Sequence, residues 1–218
     1  MKTQAKPITA TRMAMRTAVI LFIFVVIFTA LLSGAYLWTR PSIATAAAEE
    51  KMKLIDEVLP RNRYDNALLQ DFVRIAPAPA LGLDEDSQIY RARRGGRIEA
   101  LVLEAAAPDG YAGKIRLLVA LGGDGALIGV RVIAHRETPG LGDYIEPKKD
   151  RNKERPWITQ FDGLNPVATN EREWKVKKDG GRFDTVAGAT VTPRAVVKAV
   201  RKAALYVEEN RERLFAPR

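Results

Sequence analysis

The chain has 218 residues, no cysteine and a single histidine, His135. That composition excludes Cys-ligated iron–sulfur clusters, thiol redox chemistry, CxxCH haem attachment and any multi-histidine metal site built within one chain. The formal charge is +9, but Lys2, Lys6, Arg12 and Arg16 all precede the first apolar run and no acid occurs before Glu49. Part of the excess is therefore a topology signal. The rest is interspersed with acids, as in "KKDRNKERP", so no nucleic-acid partner is expected.

Residues 1–16 read as a basic, cytoplasmic N-terminus. Thr17 to Thr39, "TAVILFIFVVIFTALLSGAYLWT", carries no charge between Arg16 and Arg40. As a helix it rises roughly 33 Å, enough to cross a bilayer core. The flanking bases predict a cytoplasmic N-terminus and an exported remainder, with Tyr36 and Trp38 at the outer interface. A cleaved signal peptide is the alternative, because "ATAAAEE" contains an A-x-A-like site. The apolar run exceeds the usual h-region of about 7–15 residues, which favours a retained anchor in the inner membrane with a periplasmic domain.

Residues 40–86 read as a helical linker. "ATAAAEEKMKLIDEVLP" places Met52, Ile55 and Val58 on one helix face and stops at Pro60. "RNRYDNALLQDF" reads as a loop with a short helical turn, and "APAPALG" as a Pro-rich connection.

Residues 87–218 read as one domain. "SQIYRARR" and "RIEALVLEAA" flank Gly95-Gly96 as a hairpin, and "KIRLLVAL" and "ALIGVRVIAH" flank "GGDG" as a second. The glycines of Leu121 to Gly125 precede a strand and not a helix, so they lack the context of a phosphate-binding loop. "HRETPGLGDYI" places Pro139 and Gly140 as a type II turn requires, presenting amides to a ligand. Asp143 to Gly181 is polar and irregular. Within it Trp157 and Phe161 are expected to pack inward, and Trp174 to Lys177 to form a strand.

Pro193 to Phe215 is a helix with Val196, Val200, Ala203 and Val207 on one apolar stripe. Thr192 before Pro193 reads as its N-cap. The helix start makes a ready anion site, and Gly188 and Ala189 let a ligand approach the backbone. Thr190 presents a hydroxyl there. From the residues alone, two readings stand: simple capping, or a site for an anion. The whole is an α+β domain on one transmembrane helix.

"DTVAGAT", Asp184 to Thr190, resembles the covalent attachment signature of the FMN-binding domain family, Asp-x-x-[Ser/Thr]-Gly-Ala-[Thr/Ser]. "ETPGLG", Glu137 to Gly142, resembles a second segment of the same family. With the N-terminal anchor, the chain is similar to G subunits of Rnf-type electron-transport complexes, whose close relatives are the C subunits of sodium-pumping NADH:quinone reductases. The resemblance implies a periplasmic flavoprotein domain that relays electrons, with FMN joined to Thr190 by a phosphoester. It implies cofactor contacts from Asp184, Gly188, Ala189, Thr192, Glu137, Thr138, Gly140, Leu141 and Gly142. Leu141 would lie against the flavin face, Thr138 at its polar edge, and Glu137 against the ribityl chain or a backbone amide; from the residues alone, Glu137 reads equally as a solvated loop charge. It also implies a flavin transferase for maturation and other membrane subunits as partners. Ala187 departs from the signature, which has Ser or Thr there. Three other readings are a quinone-reductase C subunit, an anchored FMN-binding sensor or scaffold without electron flux, and a structural membrane protein without flavin.

Overall fold

The structure, a computed structural model, describes residues 10–216. Lys2 and Lys6, and with them most of the expected cytoplasmic terminus, lie outside the described residues. Helix α1 runs over Ala10–Asp56 and joins the expected anchor to the helical part of the expected linker. The chain divides into two compact units at Glu49/Glu50. In the first, the large apolar side chains from Val19 to Trp38 are 49–84% exposed. Among the described residues, α1 is the one helix long and apolar enough to cross a membrane.

The second unit begins at Glu50, well before the boundary at 87 that composition suggests. Its sheet is a five-stranded antiparallel meander in chain order: β1 (Phe72–Ile75), β2 (Ser87–Arg94), β3 (Arg97–Gly110), β4 (Gly113–Gly122) and β5 (Leu127–Ala134). Both expected hairpins are present, closed at Gly95-Gly96 and at residues 123–126. The "GGDG" segment is a tight turn, with the Asp124 carboxylate accepting the Ala126 amide.

Both sheet faces are covered, which explains why the strands are apolar almost throughout. Leu101, Leu103, Ala105 and Ala107 of β3 alternate onto one face, and Ala100 and Val102 onto the other. The first face packs against helix α2 (Val191–Glu209), whose Val196, Val200, Ala203 and Val207 form the expected buried stripe. Ile55, Val58, Leu59 and Leu68 cover the second.

Three expectations give way to tertiary packing. "APAPALG" is no free connection: Ala78 and Leu81 are buried, and Ala78 pairs with Leu83. Phe72–Ile75, inside the expected linker, is an edge strand of the sheet. Trp174 to Lys177 is not a strand; only Val176 bridges, to Phe183, between short 3-10 turns. The C-terminal helix also divides, with α2 ending at Glu209 and a last turn, α3, over Arg211–Leu214.

The polar segment from Asp143 to Gly181 is held by aromatic packing in place of regular strands. Trp157 and Phe161 stand on one 3-10 turn and are buried as expected. Phe161 meets Phe183 at 4.8 Å between ring centroids, Trp174 meets Phe183 at 5.1 Å, and Tyr144 stands edge-on to Trp157 at 5.8 Å. Such pairs add to burial through complementary ring edges and faces. This cluster fixes the entry to residues 184–190.

Candidate functional site

Three segments converge at the N-terminus of α2. β5 delivers the stretch from His135 to Gly142, the β3–β4 turn delivers Tyr111 and Ala112, and residues 186–189 form a turn that leads into the helix. Together they line a small cleft of about 100 Å³. Larger cavities of about 400 Å³ and 490 Å³ lie elsewhere, and neither brings the two motifs together.

The helix start differs from the expected one. Thr190 is the N-cap residue, Thr192 is the second helical residue and Pro193 the third. Proline fits there because the amides of the first turn have no intrahelical acceptor to lose. Thr192 does not cap: it is 1% exposed, and its hydroxyl donates to Glu137 Oε2 at 2.5 Å. Thr190 makes no side-chain capping bond either. Among the described residues its hydroxyl has no hydrogen-bond partner, and neither do the backbone amides of Thr190, Val191 and Thr192. Three unpaired N–H groups beside a free hydroxyl, at the positive end of a helix dipole, form a site suited to a phosphate.

The turn at Thr138 to Leu141 is the expected one. Gly140 has φ +74°, and the Leu141 amide donates to the Thr138 carbonyl at 3.1 Å. Its amides do not face a ligand, however. The Gly142 amide also goes to the Thr138 carbonyl, and the Gly140 amide goes to Asp143 Oδ1 at 2.8 Å. The buried Asp143 carboxylate thus consumes the donor that the sequence pattern leaves open. What the turn presents to the cleft is the Thr138 side chain and the 39% exposed Leu141.

Glu137 is 4% exposed and bridges two segments. Its Oε1 accepts the Ala112 amide at 3.0 Å while Oε2 accepts the Thr192 hydroxyl. Its own amide donates to His135 Nδ1, so His135 carries its proton on Nε2 and donates to Glu146 Oε1 at 2.7 Å. His135 therefore supports the turn from behind.

On the opposite side of the cleft, Val186 to Ala189 form a β-turn, with the Ala189 amide donating to the Val186 carbonyl and Gly188 at φ +85°. Ala187 occupies its exposed corner, where a hydroxyl would meet solvent. The Ala at this position therefore leaves the turn intact. A Cβ at Gly188 would stand 3.5 Å from Leu141 Cδ1, so the two motifs face each other across the cleft. Asp184 lies apart from it. Its carboxylate pairs with Lys177 at 2.5 Å, its carbonyl accepts the Trp157 indole N–H, and its amide donates to Gln160 Oε1. It lines the 400 Å³ cavity and anchors the start of the loop.

Tyr144 ties the turn down. Its hydroxyl donates to the Ala189 carbonyl at 3.3 Å, and burial pushes its pKa up to about 12. The raised value fixes the sign of a pH effect. The unfolded phenol ionises near 10 and the folded one near 12, so the contribution is whole below pH 10 and is lost as pH rises towards 12. Chemical denaturation across this range should show a loss of stability that Tyr144→Phe largely removes.

Similarity to known proteins bears on the same residues. Residues 110–205 match the FMN-binding domain family, and residues 1–58 match the RnfG N-terminal region. A G subunit of the ion-translocating oxidoreductase complex, from Pseudomonas aeruginosa, is 47% identical over 209 residues, 95% of each chain. The chain belongs to the RnfG family, the G subunits of ion-translocating oxidoreductase complexes. Family members from Pseudoalteromonas atlantica and Vibrio cholerae are 41% and 38% identical, over 92% and 91% of this chain and 91% and 92% of their own.

The FMN-binding domain of this RnfG-family chain opens at the β3–β4 turn and takes in β4, β5, both motifs and most of α2. Both walls of the cleft therefore fall within it, while β1 and β2 stand outside. Of the residues that the RnfG-type motifs single out, Glu137, Thr138, Leu141 and Gly142 line one wall, and Gly188, Ala189 and Thr192 the other. Thr190 stands at the helix mouth, Gly140 shapes the turn and Asp184 sits in the neighbouring cavity. Sequence reasoning misses Tyr111, Val191 and Tyr144. Tyr111 is the findable one, an aromatic in the Gly-rich turn "DGYAG" that is 68% exposed.

Proposed function

We propose that the chain is the flavin-bearing component of a membrane-bound electron-transport complex, with FMN joined through its phosphate to Thr190 Oγ. One observation carries the assignment. Of the two threonines at the helix mouth, Thr192 has its hydroxyl committed to Glu137, whereas that of Thr190 is free beside three unpaired amides. The amides of Thr190, Val191 and Thr192 would hold the phosphate oxygens. A cleft of about 100 Å³ is small beside the roughly 300–1,000 Å³ of ligand pockets, so much of such a cofactor stays accessible at the surface. The exposed apolar groups that line it, Tyr111, Leu141 and Val191, would support a flat ring.

Bound FMN supplies one- or two-electron transfer, and the protein sets its potential. With neither cysteine nor a cluster of metal-binding side chains among the described residues, a flavin makes this protein a single-centre relay. Its electrons must come from and return to other membrane subunits. The basic residues before the apolar run support a cytoplasmic N-terminus, a periplasmic domain and an inner-membrane location. Attachment requires a flavin transferase. Co-expressed with one, the full chain is expected to give a flavin-fluorescent band on a denaturing gel. Absence of the band, with the transferase active on another acceptor, sinks the proposal.

A further inference from the structure

We infer that the buried Glu137 carboxylate holds down the reduction potential of the flavin. The inference rests on the placement of the cofactor at the Thr190 cleft. Glu137 lines that cleft at 4% exposure. Both of its oxygens accept from neutral donors, the Ala112 amide and the Thr192 hydroxyl. Among the described residues no cation pairs with it, although Lys and Arg pair with carboxylates elsewhere, from Lys51–Glu104 to Arg211–Glu208. The negative charge is thus hydrogen-bonded but not neutralised.

Backbone runs close to the carboxylate on both sides. A Cβ at Gly110 would stand 2.9 Å from Oε1, and one at Gly142 would stand 2.9 Å from Oε2. Two glycines therefore flank the two oxygens. Burying an unneutralised charge is costly, and bridging two segments does not require it. A glutamine could make both links: its carbonyl would accept the Ala112 amide and its NH₂ would donate to Thr192 Oγ. The charge itself therefore needs a reason beyond the fold.

Fixed charge beside a flavin supplies one. Reduction adds electrons to the ring system, and a neighbouring anion in a low-dielectric wall opposes that addition. Glu137 is on this account a positioning residue with an electrostatic task. It anchors Thr192 and the helix mouth, and its charge makes the bound flavin a stronger reductant.

The test is a dye-equilibrated redox titration of the flavin-loaded full chain in detergent, for wild type, Glu137→Gln and Thr192→Val. Glu137→Gln should keep its covalent flavin and shift the two-electron equilibrium at least about tenfold towards the reduced form, about 30 mV. Thr192→Val breaks the same bridge but keeps the charge, so it should lose thermal stability without raising the potential. An unchanged potential in loaded Glu137→Gln overturns the inference. An equal rise in Thr192→Val overturns it too, since loosening alone would then suffice. Loss of flavin from Glu137→Gln but not from Thr192→Val assigns the charge to loading and overturns it as well. A wild-type chain without covalent flavin instead fails at the gel, where the placement of the cofactor falls before any potential is read.

Discussion

Thr190→Ala should abolish covalent flavin and leave the fold standing. The Thr190 hydroxyl makes no capping or other hydrogen bond, so its removal is expected to change stability by no more than about 0.5 kcal/mol. Thr192→Ala should do the reverse. It strips the donor from a buried carboxylate, at a cost of about 1–3 kcal/mol, yet leaves the acceptor hydroxyl in place. Fluorescence of the denatured band, set beside the thermal midpoint, separates the two. Thr190→Ser, which restores a hydroxyl, should recover labelling. A protein in which Thr192→Ala loses the flavin and Thr190→Ala keeps it would reverse the roles assigned to the two residues.

Gly82→Ala should be severely destabilising, although it lies in a stretch that reads as a linker. Gly82 has φ +68°, and a Cβ there would stand 2.2 Å from the Ala106 carbonyl oxygen in β3. Left-handed backbone strain and overpacking each cost about 1–3 kcal/mol, so a loss of about 2–6 kcal/mol is expected. That is a large part of a typical domain's stability. A denaturant midpoint unchanged by Gly82→Ala would mean that residues 76–82 are the loose connection their composition suggests.

The contrast between these two sites shows what sequence can carry. The hairpins are legible because Gly95-Gly96 and "GGDG" interrupt apolar runs at strand spacing. The α2 stripe is legible because Val196, Val200, Ala203 and Val207 repeat at helical spacing. The turn at Pro139-Gly140 is legible from local chemistry alone. "APAPALG" is not, because its burial depends on β3, a partner outside its own pattern. The Asp143 to Gly181 segment is opaque for the same reason: Phe161, Trp174 and Phe183 find one another only in three dimensions.

The site divides in the same way. Both motifs can be quoted from the chain, but not the roles within them. Thr192 looks like a cap because Thr-Pro usually marks a helix start. Its true partner, Glu137, lies 55 positions earlier. Asp143, which takes the Gly140 amide away from any ligand, gives no such signal in its own segment. Leu141 lines the cleft, and a Cβ at residue 188 would stand 3.5 Å from it, a proximity that its own segment does not announce.

Trypsin offers the most direct test of the central assignment. Cleavage after Arg182 and Arg194 releases residues 183–194 as one peptide containing Thr185, Thr190 and Thr192. Mass spectrometry of that peptide, from full chain matured with a flavin transferase, should show the added mass of phosphate-linked FMN, with fragment ions placing it on Thr190. An unmodified peptide from flavin-loaded protein, or fragments that place the group on Thr185 or Thr192, would contradict the account.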